Sequence, residues 1–196
     1  MVHRVRRFLL WSAGLAAALP IVAGAAAGQG LPVLPFRSGT IAIRVNVSGE
    51  PDFTARVGVD SAVYLGDSLA AVRGSAVVRA AGIRTGIGLR DARLRGDLDV
   101  KHHPWIRFDL ERVRPDSASG DTTRAGLDGV LTIRGQAREV TVPATVVARG
   151  DSLEVVAVFT LDIRDYGMKP PSILFGLVRV RPVVALTARL LFAREP

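Results

Sequence analysis

Two pairs of adjacent side chains in this 196-residue chain have the chemistry to form a site: Arg90-Asp91 and His102-His103. Arginine beside a carboxylate can hold an anionic group, and two histidines can ligate a metal or serve as a base. Neither pair completes a centre. Adjacent histidines on an extended segment point to opposite sides, and no third ligand stands at a useful spacing. A nucleophile needs a base, and apart from His3 the only histidines sit side by side in one stretch. There is no cysteine, which removes thiolate chemistry, thiolate metal sites, disulfides and lipid attachment through an N-terminal cysteine. Arg90 and Asp91 read as holding the turn that follows Thr85; the functional reading would place Arg90 against a ligand headgroup at a rim. The expectation is therefore a protein without catalytic residues, metal ligands or a cofactor motif, and not an enzyme. What function there is must come from the elements themselves.

Those elements alternate. Ile41, Ile43, Val45 and Val47 fall on one side of a strand, with Thr40, Arg44, Asn46 and Ser48 on the other. The same period of two runs through Phe53–Val63, Leu69–Ala80, Trp105–Val113, Leu127–Arg134, Glu139–Arg149, Val155–Ile163 and Val178–Phe192. Gly and Pro stand between these runs, as in an all-β domain. Asp91–Leu98 is the one segment that reads as a short helix, with Leu94 and Leu98 four residues apart, Gly96 shortening it and Pro104 stopping it. Pro115–Asp121 reads as a mobile polar loop, and Tyr166–Ser172 as a turn-rich excursion. About eight antiparallel strands solve their edge problem most simply by closing into a barrel. A two-sheet sandwich fits the same periodicity.

The first 27 residues read as an export signal. Arg4, Arg6 and Arg7 precede the apolar run Phe8–Leu19, and Ala25-Ala26-Ala27 supplies a small-residue cleavage pattern. The competing reading is an uncleaved anchor, because Phe8–Ala27 carries no charge. Residues 28–38, with Pro32 and Pro35, read as a linker, and residues 39–196 as the folded domain. The protein is thus expected outside the cytoplasm, periplasmic or secreted. The formal net charge is +8, lowered by three if the signal arginines leave. The arginines are dispersed along strands without clustering, so a nucleic-acid partner is not expected. An outer-membrane barrel would need an apolar outer band with aromatic girdles, which the strands lack.

Four motifs occur in a fixed order: Thr85-Gly86 with Arg90-Asp91; Asp99-Val100, Pro104 and Phe108; Gly129-x-Leu131-Thr132-Ile133-x-Gly135; and Asp165-Tyr166-Gly167-Met168. In this order and spacing the chain resembles the YceI-like family of polyisoprenoid-binding proteins, antiparallel barrels related in shape to lipocalins. The resemblance runs from about Asp52 to Phe192. Leu98 stands where the family often has an aromatic, and Ala92-Arg93 displaces a usual histidine. The likeness implies an all-β, lipocalin-like barrel of about eight strands with one short helix, enclosing a polyisoprenoid such as a quinone tail.

On that reading the lipid-binding residues are the inward apolar positions Ile106, Phe108, Leu110, Ile133, Val142, Phe159, Leu161, Leu186 and Leu190. The partner is a hydrophobic lipid, with no membrane insertion of the mature domain, and the pattern leaves room for a homodimer. The rival reading is an envelope structural or stress-response interaction domain whose barrel core is solid. The two differ in one observable, the presence of a hollow interior.

Overall fold

The computed structural model describes residues 33–173 and 178–194. The expected signal segment, residues 1–27, lies outside them, as do residues 28–32 of the expected linker. Twelve strands occur among the described residues: β1 (Phe36–Val45), β2 (Val47–Ser48), β3 (Phe53–Gly58), β4 (Ser61–Leu65), β5 (Arg73–Arg79), β6 (Trp105–Ser119), β7 (Thr122–Ile133), β8 (Gln136–Arg149), β9 (Ser152–Asp162), β10 (Ser172–Ile173), β11 (Val178–Val180) and β12 (Val183–Ala193). One α-helix, α1 (Gly88–Asp97), lies between β5 and β6. Nine strands form one sheet in the order β3-β1-β12-β9-β8-β7-β6-β5-β4, and β10, β11 and β2 form a small second sheet.

The large sheet is rolled. Its edge strands β3 and β4 stand at opposite ends of the strand order, yet only Val59 and Asp60 connect them. The Val59 N–H donates to the Gly39 carbonyl at 2.9 Å and the Asp60 N–H to that of Val77 at 2.9 Å. Backbone bonding therefore passes from β1 through this corner to β5. β3 and β4 act as the two halves of one bent strand, which brings the ring to the eight strands of a lipocalin-like barrel. Away from the corner the seam is open, and the segment before α1 lies along it: Arg56 and Arg84 exchange two backbone hydrogen bonds of 2.8 Å each.

Tight curvature needs missing side chains on the concave face. Gly74, Leu110 and Gly129 are paired in a row across β5, β6 and β7, and the register slips by one residue between Leu110 and Arg112. A methyl on Gly74 would meet the Val63 carbonyl, and one on Gly129 the Asp109 carbonyl. Glycine and a bulge together bend a sheet at a barrel corner.

Two core clusters stand at opposite ends, and a smaller third, Val142, Ala144 and Ala157, lies in the wall between them. At one end Val78, Ile83, Leu98, Leu131, Ile133, Tyr166 and Met168 are buried, with Leu94 of α1 against them. At the other, Leu34, Tyr64, Val72, Val113, Leu153 and Phe192 are buried. Phe192 meets Tyr64 and Phe36 edge-on, with ring centroids 5.0 and 5.7 Å apart. Phe36 and Leu34 fall inside the stretch read as linker: β1 starts at Phe36 because these two side chains help close that end.

Three local readings need correction. Pro115–Asp121 is not a mobile loop: β6 runs to Ser119, and β7 begins at Thr122 after a two-residue turn in which Gly120 takes φ 55°. Pro115 is accommodated at a second register slip, between Pro115 and Ser117. Val178–Phe192 is not one strand, because Arg181-Pro182 interrupts it and Pro182 has no N–H to donate. The helix ends at Asp97, well before Pro104, and Asp99 then takes a left-handed φ of 49°.

On the outer face Asp128 ties three strands together. Its carboxylate accepts from Arg114 at 2.7 Å, Arg112 at 3.2 Å and Thr141 at 2.8 Å. These bonds, led by that from Arg114, hold its pKa down from 3.8 to about 2. A depressed carboxylate stabilises the fold fully above its unfolded value and loses that contribution as pH falls through its folded value. Hydrogen bonding also lowers Asp91, Asp99 and Asp162. Thermal melts are therefore expected to hold steady from neutrality down to about pH 5, then to fall steeply between about pH 4 and 2. Replacing Asp128 by asparagine should flatten that fall.

A hollow interior as the candidate binding site

The inward phase of the strands of the large sheet is mainly apolar, and the roll brings these positions around one cavity of about 1170 Å³. All nine residues named from the alternation line it: Ile106, Phe108 and Leu110 from β6, Ile133 from β7, Val142 from β8, Phe159 and Leu161 from β9, and Leu186 and Leu190 from β12. The barrel core is thus not solid.

What keeps it hollow is a set of small residues in register. Ala188, Ala157, Ala144 and Ala125 are neighbours across β12, β9, β8 and β7. Ala62 and Ala76 pair on β4 and β5, and with Ala55, Ala157 and Ala188 they line the cavity. Of the row, Ala157 and Ala188 face the cavity, and from these two positions no side chain reaches across the middle; Ala125 and Ala144 are buried beside it. The residues named as lipid-binding from the sequence are the large inward ones; Ala188 is legible on the inward face of its strand, and the other alanines also sit in the inward phase of theirs.

Charged groups are confined to the margins. The charged residues of the lining are Glu50 and Asp52 from the turn after β2, Arg90, Arg93 and Asp97 from α1, and Lys169. The cavity therefore opens beside α1, and its other end is closed by the Tyr64–Phe192 cluster. The Arg90 guanidinium lies 3.9 Å from the centre of the Phe53 ring. Arg93 pairs with Asp97 at 3.7 Å and Arg44 with Asp52 at 3.5 Å. Deep in the barrel Tyr64 accepts a hydrogen bond from the Leu34 N–H at 3.1 Å, and burial raises its phenol pKa.

Asp91 does structural work. It is buried, and its carboxylate accepts from the Thr85 backbone N–H at 2.7 Å and the Thr85 hydroxyl at 2.6 Å. These bonds lower its pKa, the hydroxyl's first, and hold the turn in which Gly86 takes φ 82°. The two histidines part company: His102 Nδ1 lies 2.7 Å from Asp99, whereas the His103 ring packs under Gly135. Among the described residues no three His, Cys, Asp or Glu side chains gather where a metal could be held. No helix among them is long and apolar enough to cross a membrane.

The family model for the YceI-like domain matches residues 36–192. The crystal structure of BcnA from Burkholderia cenocepacia is similar with a TM-score of 0.62 at 19% identity, over 78% of this chain and 95% of that one. A polyisoprenoid-binding domain from Saccharophagus degradans, implicated in plant cell wall breakdown, gives 0.63 at 13% identity, over 83% and 99%. The YceI protein of Campylobacter jejuni gives 0.53 at 13%, over 95% and 100%. Among curated proteins none matches. At these identities the solved structures speak to the fold.

Proposed function

The chain belongs to the YceI-like domain family, and from that premise we propose that it is an exported lipid-binding protein that sequesters or carries a polyisoprenoid chain, such as a quinone tail, inside its barrel. The observation that carries this reading is an apolar cavity of about 1170 Å³ with its charged residues only at the mouth. That exceeds the roughly 300–1,000 Å³ of an ordinary small-molecule pocket. At roughly 30 Å³ for each water-sized group, it has room for about seven or eight five-carbon units. Burying one such unit contributes on the order of 3–4 kcal/mol by the methylene rule, less the cost of ordering a flexible chain. Several units suffice without a polar anchor. The same wall offers no base beside a nucleophile, which favours carriage over catalysis. Export is supported by the basic and apolar pattern of residues 1–27, and N-terminal sequencing of the protein recovered from the cell envelope tests it.

Native mass spectrometry of the purified protein, followed by organic extraction, is expected to show a co-purifying prenyl lipid that denaturation releases. Protein that carries no lipid, and takes up none from detergent, would overturn the reading. The rival, an interaction domain with a solid core, lacks the packed interior it requires.

A further inference from the structure

The mouth of the cavity carries a feature that containment alone does not require. Ile87 is 51% exposed and Leu89 85% exposed, although both are large aliphatic residues lining the opening. They flank the start of α1 in a segment that stands clear of the rest of the protein. A side chain built at Gly86 or Gly88, on either side of Ile87, would meet nothing within 4 Å. The segment is nonetheless held, because Asp91 grips Thr85 through the two bonds described above. Two greasy side chains are thus presented outward at the door of an apolar chamber.

Charge surrounds them. Arg90 and Arg93 follow on α1, and Lys169 stands on the margin of the same cavity. Arg93 pairs with Asp97 and Arg44 with Asp52, so the charges left over at the rim are Arg90 and Lys169 against Glu50 alone. The chain carries +8, or +5 once the three signal arginines leave. Aliphatic side chains flanked by Arg and Lys match a surface that is anionic at its face and apolar just beneath, which is an acidic phospholipid bilayer.

We propose that this rim, with Ile87 and Leu89 at its tip, docks on an anionic membrane surface, so that a prenyl chain passes between bilayer and cavity without crossing water. The proposal rests on the reading of the cavity as a lipid chamber, and two separate measurements keep the two apart. The first is flotation of the exported protein, without residues 1–27, with vesicles that contain no prenyl lipid. One set is pure phosphatidylcholine, the other phosphatidylcholine with about one third phosphatidylglycerol. Partition onto the anionic vesicles is expected to exceed that onto the neutral ones and to weaken as salt rises. The double variant Ile87→Ser with Leu89→Ser is expected to lose about tenfold of that partition. Both side chains are exposed, so its melting temperature should match that of the unaltered protein, which excludes misfolding as the cause. Equal partition onto both vesicle types, or a double variant that floats as well as the unaltered chain, overturns the proposal. The second measurement is uptake of a prenyl alcohol from detergent by the unaltered protein. Failure there sinks the lipid chamber, whereas flotation reads the docking surface by itself.

Discussion

Replacing Ala157 by phenylalanine is expected to empty the barrel of lipid while leaving the fold intact or more stable. Ala157 faces the cavity from β9, with Ala188 beside it on β12 and Ala144 on β8. A phenyl ring there projects into the space that the row of alanines keeps open. A bound chain would have to give up several methylene contacts, each worth about 0.8 kcal/mol, or force the ring off its rotamer. Affinity for a prenyl lipid should fall by at least about 100-fold, the equivalent of roughly 3 kcal/mol. The free protein gains apolar contact in a void, and cavity filling commonly raises stability by about 0.5–2 kcal/mol. Titration from detergent, alongside a thermal melt, reads both. If the variant bound as tightly as the unaltered protein, the cavity would not be the site. If it unfolded, the space would be smaller than the structure draws it. Ala188→Phe, acting from the neighbouring strand, should reproduce the loss.

The second large effect belongs to the frame. Gly129→Ala should destabilise the protein by about 3 kcal/mol or more, as overpacking against backbone does, lowering Tm by roughly 6–12 °C for a domain of this size. The added methyl would lie against the Asp109 carbonyl and 3.0 Å from the Phe108 ring. Neither can retreat, since Asp109 is paired with Val130 and Phe108 with Leu131 in the same ladder. On propensity alone the change would be mildly favourable, because glycine weakens a strand. The sign of the measured effect therefore decides whether curvature or propensity rules. Gly58→Ala is the comparison: its methyl would come no closer than 4.0 Å to another group, the Gly39 carbonyl. It should leave Tm unchanged or slightly raised.

The legible part of this molecule was its alternation. Val184, Leu186, Ala188, Leu190 and Phe192 declare an inward face by spacing alone, and all five line the cavity. The short helix is legible from Leu94 and Leu98, which both pack into the core cluster at that end. Punctuation was less reliable. Pro115–Asp121 has the composition of a loop, but the long β6–β7 ladder supplies enough bonds to keep its residues extended. Pro182, inside an apparently continuous strand, is the break that composition understated. Arg90-Asp91 looked like one unit and is two: Asp91 fastens a turn, while Arg90 lies across Phe53 at the mouth.

By itself, then, the sequence determined that the chain is all-β and which residues of each strand face inward. Those follow from local spacing, because a strand's two faces are set by the pleat and need no knowledge of its neighbours. Whether the inside is solid or hollow was decided only in three dimensions. It depends on which residues of different strands stand level with one another, and register is fixed by turns, bulges and long-range pairing. Ala125, Ala144, Ala157 and Ala188 are scattered over 64 positions of the chain and become one row only when β7, β8, β9 and β12 are laid side by side. Ala157 and Ala188 of that row, rather than any polar motif, border the space a lipid could occupy.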